Sequence, residues 1–185
     1  LSCTATSAVI IEDSGTTLAD YTALAVGVDG MPVIAYQDAA SGVLKFAKCN
    51  DIACQNSSVR SLVDNANDVG FYISMAIGSD GLPIIAHFDN TASNLLFVHC
   101  NDIACLSSTP RTLDSTNGSG IYPSIAVGVD GFPIIAYGDG LGPLGLHIAK
   151  CNDITCASTT LRLVQDEANQ VGTYNTLAIG ADGYP

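Results

Sequence analysis

Seven cysteines and a recurrent set of aspartates are the residues of this chain whose types and spacing could do chemistry. Cys49-Asn50-Asp51-Ile52-Ala53-Cys54 returns as Cys100-Asn101-Asp102-Ile103-Ala104-Cys105 and again as Cys151-Asn152-Asp153-Ile154-Thr155-Cys156, a period of 51 residues. Paired cysteines can hold zinc or close a disulfide. Zinc needs four ligands converging on one ion, and a pair carried once per repeat sits a repeat's width from the next pair. A pair with four residues between its members can close a small loop, so Cys49 with Cys54, Cys100 with Cys105, and Cys151 with Cys156 are read as disulfides. Such bonds persist in oxidising compartments, which predicts an extracellular or cell-surface protein.

The carboxylates also fall in register: Asp29, Asp80, Asp130 and Asp182; Asp38, Asp89 and Asp139; Asp51, Asp102 and Asp153; Asp13, Asp64, Asp114 and Asp166. Calcium would need six to eight oxygens around one ion, and the segment Asp64-Asn65-Ala66-Asn67-Asp68-Val69-Gly70 is only loosely similar to an EF-hand loop. Aspartate in turns accepts hydrogen bonds from nearby amides, so turn chemistry is the expectation. Calcium stays open, and no other cofactor is expected. Six Lys and Arg against eighteen Asp and Glu give a formal charge of -12. Nucleic acid and anionic membrane are poor partners for that balance, and no apolar run is long enough to cross a bilayer.

Tyr21, Tyr72, Tyr122 and Tyr174 share one repeat position. A ring of aromatics could stack on sugars, so these four, with His87, are the candidate ligand-binding residues. Their competing role is packing between neighbouring units with the hydroxyl hydrogen-bonded. His87 stands where Tyr36 and Tyr137 do, His99 where Lys48 and Lys150 do, and His147 where Lys45 and Leu96 do. Three isolated substitutions at three positions read as drift on a tolerant scaffold. No catalytic residue is singled out: no Ser-His-Asp set stands apart, and no single acidic pair breaks the symmetry as a glycosidase requires.

The elements that must position these groups are short strands, four to a repeat. Thr22 to Gly27 and Ser124 to Gly128 alternate small and aliphatic residues and run into Asp-Gly, a hairpin signal expected to place both turn residues at positive φ. The second strand begins at Pro32, Pro83 or Pro133, where a missing N–H is tolerated. The third ends at Cys49, Cys100 or Cys151. The fourth is Ser58 to Val63, Pro110 to Leu113 or Thr160 to Val164, with Thr6 to Ile11 as its counterpart near Leu1. Gly180-Ala181-Asp182-Gly183-Tyr184-Pro185 begins a fourth copy. Helical periodicity is absent, and with 48% hydrophobic and 13% charged residues the chain is neither disordered nor a coiled coil.

Four strands in about 50 residues, repeated, resemble the blades of a secreted β-propeller marked by Asp-Gly-x-Pro and Cys-Asn-Asp motifs. The resemblance implies an all-β, propeller-like array of four-stranded antiparallel blades. The Trp-Asp dipeptide of WD40 blades cannot occur in a chain without Trp. A β-solenoid or an open stack of sheets is the rival arrangement. On this reading residues 1–185 form one repeat domain, with a partial unit over 1–31 and repeats over about 32–82, 83–132 and 133–184. The heptapeptide 139–145 is an insertion, read as a mobile or contact-making loop.

By register the partner of Cys3 precedes Leu1 and Pro185 aligns with Pro32, so the array is expected to be incomplete at both ends. Its completion would come from further repeats of the same chain or from other copies of it through strand pairing. Three function classes follow: a non-catalytic extracellular scaffold for protein interaction or for surface or filament assembly; a lectin-like glycan binder; and, least supported, a glycosidase or lyase. Glycans are thus the other candidate partner.

Overall fold

The computed structural model describes residues 10–11, 20–61, 68–116, 118–140, 145–166 and 171–185, and within them all side chains but those of 59–61 and 166. Cys3, Asp13, Asp64, most of the strand expected over 6–11 and the centre of the 139–145 insertion lie outside the described residues. Every regular element among those described is a strand, and the strands form three four-stranded antiparallel sheets.

The first sheet contains β1 (Thr22–Val26), β2 (Pro32–Asp38), β3 (Val43–Cys49) and β4 (Ser57–Ser61). The second contains β5 (Val69–Ile77), β6 (Pro83–Asp89), β7 (Asn94–Cys100) and β8 (Ser108–Asp114). The third contains β9 (Ser119–Val127), β10 (Pro133–Asp139), β11 (Gly145–Cys151) and β12 (Thr159–Asp166). In each, strands follow one another in chain order. Each second strand begins with its proline on the hairpin, paired with Val26, Ile77 or Val127.

The Asp-Gly hairpins differ from the expected two-residue turn. Gly30 donates to the Gly27 carbonyl and Gly27 to that of Met31, both at 2.9 Å, and of the Asp-Gly pair only Gly30 has positive φ. This is a three-residue turn closed by a left-handed glycine. The aspartate works through its side chain instead: Asp29, Asp80, Asp130 and Asp182 each accept the amide two residues on, at 3.1 Å.

Contacts between sheets concentrate on the first strands: β5 lies against β1, β2 and β3, and β9 against β5, β6 and β7. The sheets therefore fan out from a line of first strands, as the blades of a propeller do, in an unclosed array. Between the first and second sheets the core is built from Val33, Leu44 and Phe46 facing Ile85, Val98 and Cys105. Between the second and third it is built from Ile84, Leu95 and Phe97 facing Ile135, Tyr137 and Cys156. Phe46 and Phe97, both fully buried, anchor the two joints. Truncating either to Ala would cost about 3 to 5 kcal/mol.

Cys49–Cys54, Cys100–Cys105 and Cys151–Cys156 are bonded, with Cα–Cα distances of 4.8, 4.9 and 4.8 Å. Each closes the loop from third to fourth strand, around an aspartate that caps it. Asp51 accepts the amides of Ala53, Gln55 and Asn56 at 3.0 to 3.1 Å, and Asp102 and Asp153 repeat the pattern. The Gln55 amide and its neighbours hold the Asp51 carboxyl below its usual range. Three disulfides are the mark of oxidising surroundings.

Closing so short a loop stabilises the fold by about 2 kcal/mol. Replacing Cys100 and Cys105 together by Ala should therefore lower the urea-unfolding free energy by at least that amount. The Cys49–Cys54 pair should cost less, because Cys105 is buried in the first joint whereas Cys54 is only partly covered. Equal losses for the two pairs would remove the packing contribution.

Candidate functional site

The four repeat tyrosines come together in one row along the first strands. Ring centroids are 4.9 Å apart for Tyr21 and Tyr72, 4.3 Å for Tyr72 and Tyr122, and 4.4 Å for Tyr122 and Tyr174. The geometry comes from a bulge. Phe71 pairs with Phe88 and Ser74 with Ala86, so Tyr72 and Ile73 together oppose His87. In β9, Tyr122 and Pro123 likewise oppose Tyr137. Tyr72, Tyr122 and Tyr174 sit at φ of 52°, 50° and 53°. A left-handed backbone at a bulky residue costs on the order of 1–3 kcal/mol and persists only where the surroundings enforce it.

What enforces it is a pattern the sequence reading did not use: a glycine two residues before each of these tyrosines. Gly70, Gly120 and Gly172 all have positive φ and press on the preceding sheet. A β-carbon on Gly120 would stand 2.5 Å from Leu95 Cα. A serine two residues after the tyrosine then stitches the first strands together. Ser74 Oγ accepts the Ile125 amide at 3.1 Å, and Ser124 Oγ accepts the Leu177 amide at 2.9 Å. Tyr174, at the end of the row, is 80% exposed. Burial raises the Tyr72 pKa, with Tyr21 adding to it and a hydrogen bond with Tyr122 opposing it, and a hydrogen bond with Tyr122 raises that of Tyr174.

His87 lies beneath the row rather than in it. It is fully buried, its Nδ1 accepts the Gly70 amide at 3.3 Å, and its Nε2 has no hydrogen-bond partner. Burial depresses its pKa to about 4. Its counterpart Tyr137 is also buried, but donates its hydroxyl to Asp114 Oδ2 of the preceding sheet at 2.7 Å. Burial pushes the Tyr137 pKa up, and the Asp114 carboxylate adds to it. Burial alone would raise the Asp114 pKa, but the hydroxyls of Tyr137 and Thr116 hold it below the usual value.

The other two histidines stand in the place of lysines that pair with aspartate, and each meets the corresponding aspartate. His99 Nε2 meets Asp80 at 2.8 Å, where Lys48 meets Asp29 at 2.7 Å and Lys150 meets Asp130 at 2.8 Å. His147 Nε2 meets Asp139 at 3.3 Å, where Lys45 meets Asp38 at 2.9 Å. The Lys45 ammonium lowers the Asp38 pKa to about 2. Among the described residues no three His, Cys, Asp or Glu side chains converge on a point that could hold a metal ion.

No family model matches the chain, and no curated protein does. Solved structures do match its fold. A β-1,3-galactosidase of the GH43 group superposes with a TM-score of 0.58 at 13% identity, over 80% of this chain and 32% of its own. An α-L-arabinanase from Penicillium chrysogenum, complexed with arabinobiose, gives 0.57 at 10% identity, over 83% and 52%. A fucose lectin from Kordia zhangzhouensis, complexed with methyl-fucoside, gives 0.54 at 9% identity, over 80% of this chain and 100% of the lectin. The chain thus spans about a third to a half of the two enzymes' length and all of the lectin's. The galactosidase and the arabinanase are propeller folds, and the fold here is propeller-like.

The buried histidine carries a pH dependence with a definite sign. A folded pKa near 4 against the ordinary value of 6.5 means that the unfolded chain binds the extra proton. His87 therefore contributes stability that is complete above about pH 6.5 and is lost as pH falls toward 4, on the order of 3 kcal/mol in all. His87→Phe should flatten the urea-unfolding free energy across that window, and an unchanged slope would overturn the assignment. Tyr137→Phe should cost about 1 to 2 kcal/mol at neutral pH, with the difference from wild type shrinking below about pH 4 as Asp114 protonates.

Proposed function

We propose that this protein is a non-catalytic extracellular repeat scaffold that works by presenting sheet faces to partners. One observation carries the reading: among the described residues, the in-register carboxylates are already used inside the fold. Hairpin carboxylates cap the next strand and hold Lys48, His99 or Lys150. Loop carboxylates each take several backbone amides. Asp38 and Asp139 are held by Lys45 and His147, and Asp114 by Tyr137 and Thr116. Glycoside hydrolysis requires one carboxyl kept as an acid and another left free as base or nucleophile. Here the shifted carboxyl pKa values all move down, away from a general acid. The disulfides favour placement outside the cell.

A second reading has its own support. The tyrosine row ends in an exposed ring, and a fucose lectin shares the fold. On that reading the protein binds glycans through Tyr174 and Tyr122 by stacking on a sugar's apolar face.

Incubation with nitrophenyl galactosides and arabinosides should release no nitrophenol above the uncatalysed rate, and turnover that survives repurification would exclude the scaffold. Titration calorimetry with methyl-fucoside and arabinobiose tests the second reading. Binding that Tyr174→Ala weakens at least tenfold would establish it, and heat that Tyr174→Ala leaves unchanged would remove the row as the site.

A further inference from the structure

Asn56 breaks the repeat at a bond that the other two sheets keep. The turn after each disulfide loop has the same backbone in all three: the Asn50, Asn101 and Asn152 amides donate to the carbonyls of Asn56, Ser107 and Ser158 at 2.8, 2.9 and 3.0 Å. In the second and third sheets the side chains add a second tie, from Asn101 Nδ2 to Ser107 Oγ at 3.3 Å and from Asn152 Nδ2 to Ser158 Oγ at 3.2 Å. Asparagine at 56 has no hydroxyl to accept that bond. Its own Nδ2 stands 3.5 Å from Asp51 Oδ2, longer than an ordinary N–H···O hydrogen bond.

What the asparagine completes is a triplet. Asn56-Ser57-Ser58 has the Asn-x-Ser/Thr form, without Pro in the middle, that oligosaccharide transfer to asparagine requires. Its counterparts Ser107-Ser108-Thr109 and Ser158-Thr159-Thr160 carry the hydroxyl at the third place and lack only the asparagine. That hydroxyl belongs to the repeat, since Ser58, Thr109 and Thr160 sit opposite Lys48, His99 and Lys150 in the ladder between third and fourth strands. One residue therefore turns the first unit into an acceptor. The place also suits a bulky hydrophilic group. Asn56 is exposed in a bend just ahead of β4, an outer strand of its sheet. Ser107 is exposed at the same position in the second sheet, which is packed on both sides, so the position opens away from the joints.

We propose that Asn56 is a site of N-linked glycosylation. The donor class is an oligosaccharide carried on a lipid diphosphate. Asn56 Nδ2 forms a bond to the anomeric carbon of the first sugar, and the bond from that carbon to the diphosphate oxygen breaks. The lipid diphosphate leaves with the electron pair, one Nδ2 proton passes to a base of the transferase, and nothing is oxidised or reduced. The proposal rests on the extracellular placement given to the scaffold, because such acceptors lie on the surface of secreted proteins, and not on what the scaffold binds. A carbohydrate here flanks the outer edge of β4, which has Val59 where β8 has Pro110, and it shields that edge from pairing with another chain.

The test is to produce the chain behind a cleavable signal in eukaryotic cells, recover it from medium and from cell membranes, and map its peptides by mass before and after peptide-N-glycosidase treatment. The peptide containing Asn56 should carry an oligosaccharide, and the glycosidase should leave it with the amide converted to an acid. Asn56→Ser, which restores the residue of the other two sheets, and Ser58→Ala, which keeps the asparagine, should each abolish modification of that peptide, whereas Ser58→Thr should retain it. Asn117-Gly118-Ser119 also matches the form, its asparagine outside the described residues, so the result is read from the peptide and not from total mass. An unmodified Asn56, in secreted or retained chain, overturns the proposal, as does modification that survives Ser58→Ala. Free thiols at Cys100 and Cys105 in the recovered chain would instead remove the extracellular reading, whatever the state of Asn56.

Discussion

The close approach of each first strand to the sheet before it sets the spacing of the whole array, and glycine makes that approach available. Gly70 lies over Leu44, Gly120 over Leu95 and Gly172 over Gly145, at positions where any β-carbon would strike the backbone or its immediate substituent. With the strand pressed this close, its next residues cannot continue as a regular ladder. The chain bulges, the tyrosine is driven to positive φ, and the serine beyond it reaches the amide of the next first strand. One steric constraint thus fixes the row of rings, the stitching of the strands and the depth at which Phe46 and Phe97 are buried.

A chain of net charge -12 must also keep its few cations where they act. Lys45, Lys48 and Lys150 are each spent on an aspartate of their own sheet, and Lys48 and Lys150 also donate to the carbonyl of the adjoining cysteine. Those bonds tie the Asp-Gly hairpin to the third strand next to the disulfide. When histidine replaces lysine at 99, the pair survives at the same separation, but the second donor is lost and Nδ1 is left buried without a partner. The same type of change at 87 replaces a phenol that can bridge sheets with an imidazole too short to do so. Among the described residues the second sheet therefore carries both orphaned imidazole nitrogens, and the buried His87 makes its joints the natural place for acid to loosen the fold.

Much of this was legible in the sequence because repetition converts a weak local signal into a strong one. Strand ends, the within-loop disulfides and the four-stranded unit followed from Pro, Asp-Gly and Cys at fixed spacing. What escaped were features that propensity argues against. Tyr is not a residue expected in the left-handed region, so Gly-x-Tyr did not read as a bulge, although a glycine precedes three of the four repeat tyrosines. The hairpin type was missed because Asp-Gly also serves as the end of a longer turn, with the carboxylate capping the next amide. His99 and His147 looked like drift because their aspartates, 19 and 8 residues earlier in sequence, are brought near only by strand pairing. The burial of His87 could not be read from a position that holds Tyr in the neighbouring units.

The glycan reading turns on Tyr174, because a sugar needs the exposed face of that ring. The spacing of 4.3 to 4.9 Å between successive rings leaves no room for a pyranose between them, so the stacked interior of the row is closed to sugar. The repeated tyrosines are in the first place a device for registering one sheet on the next.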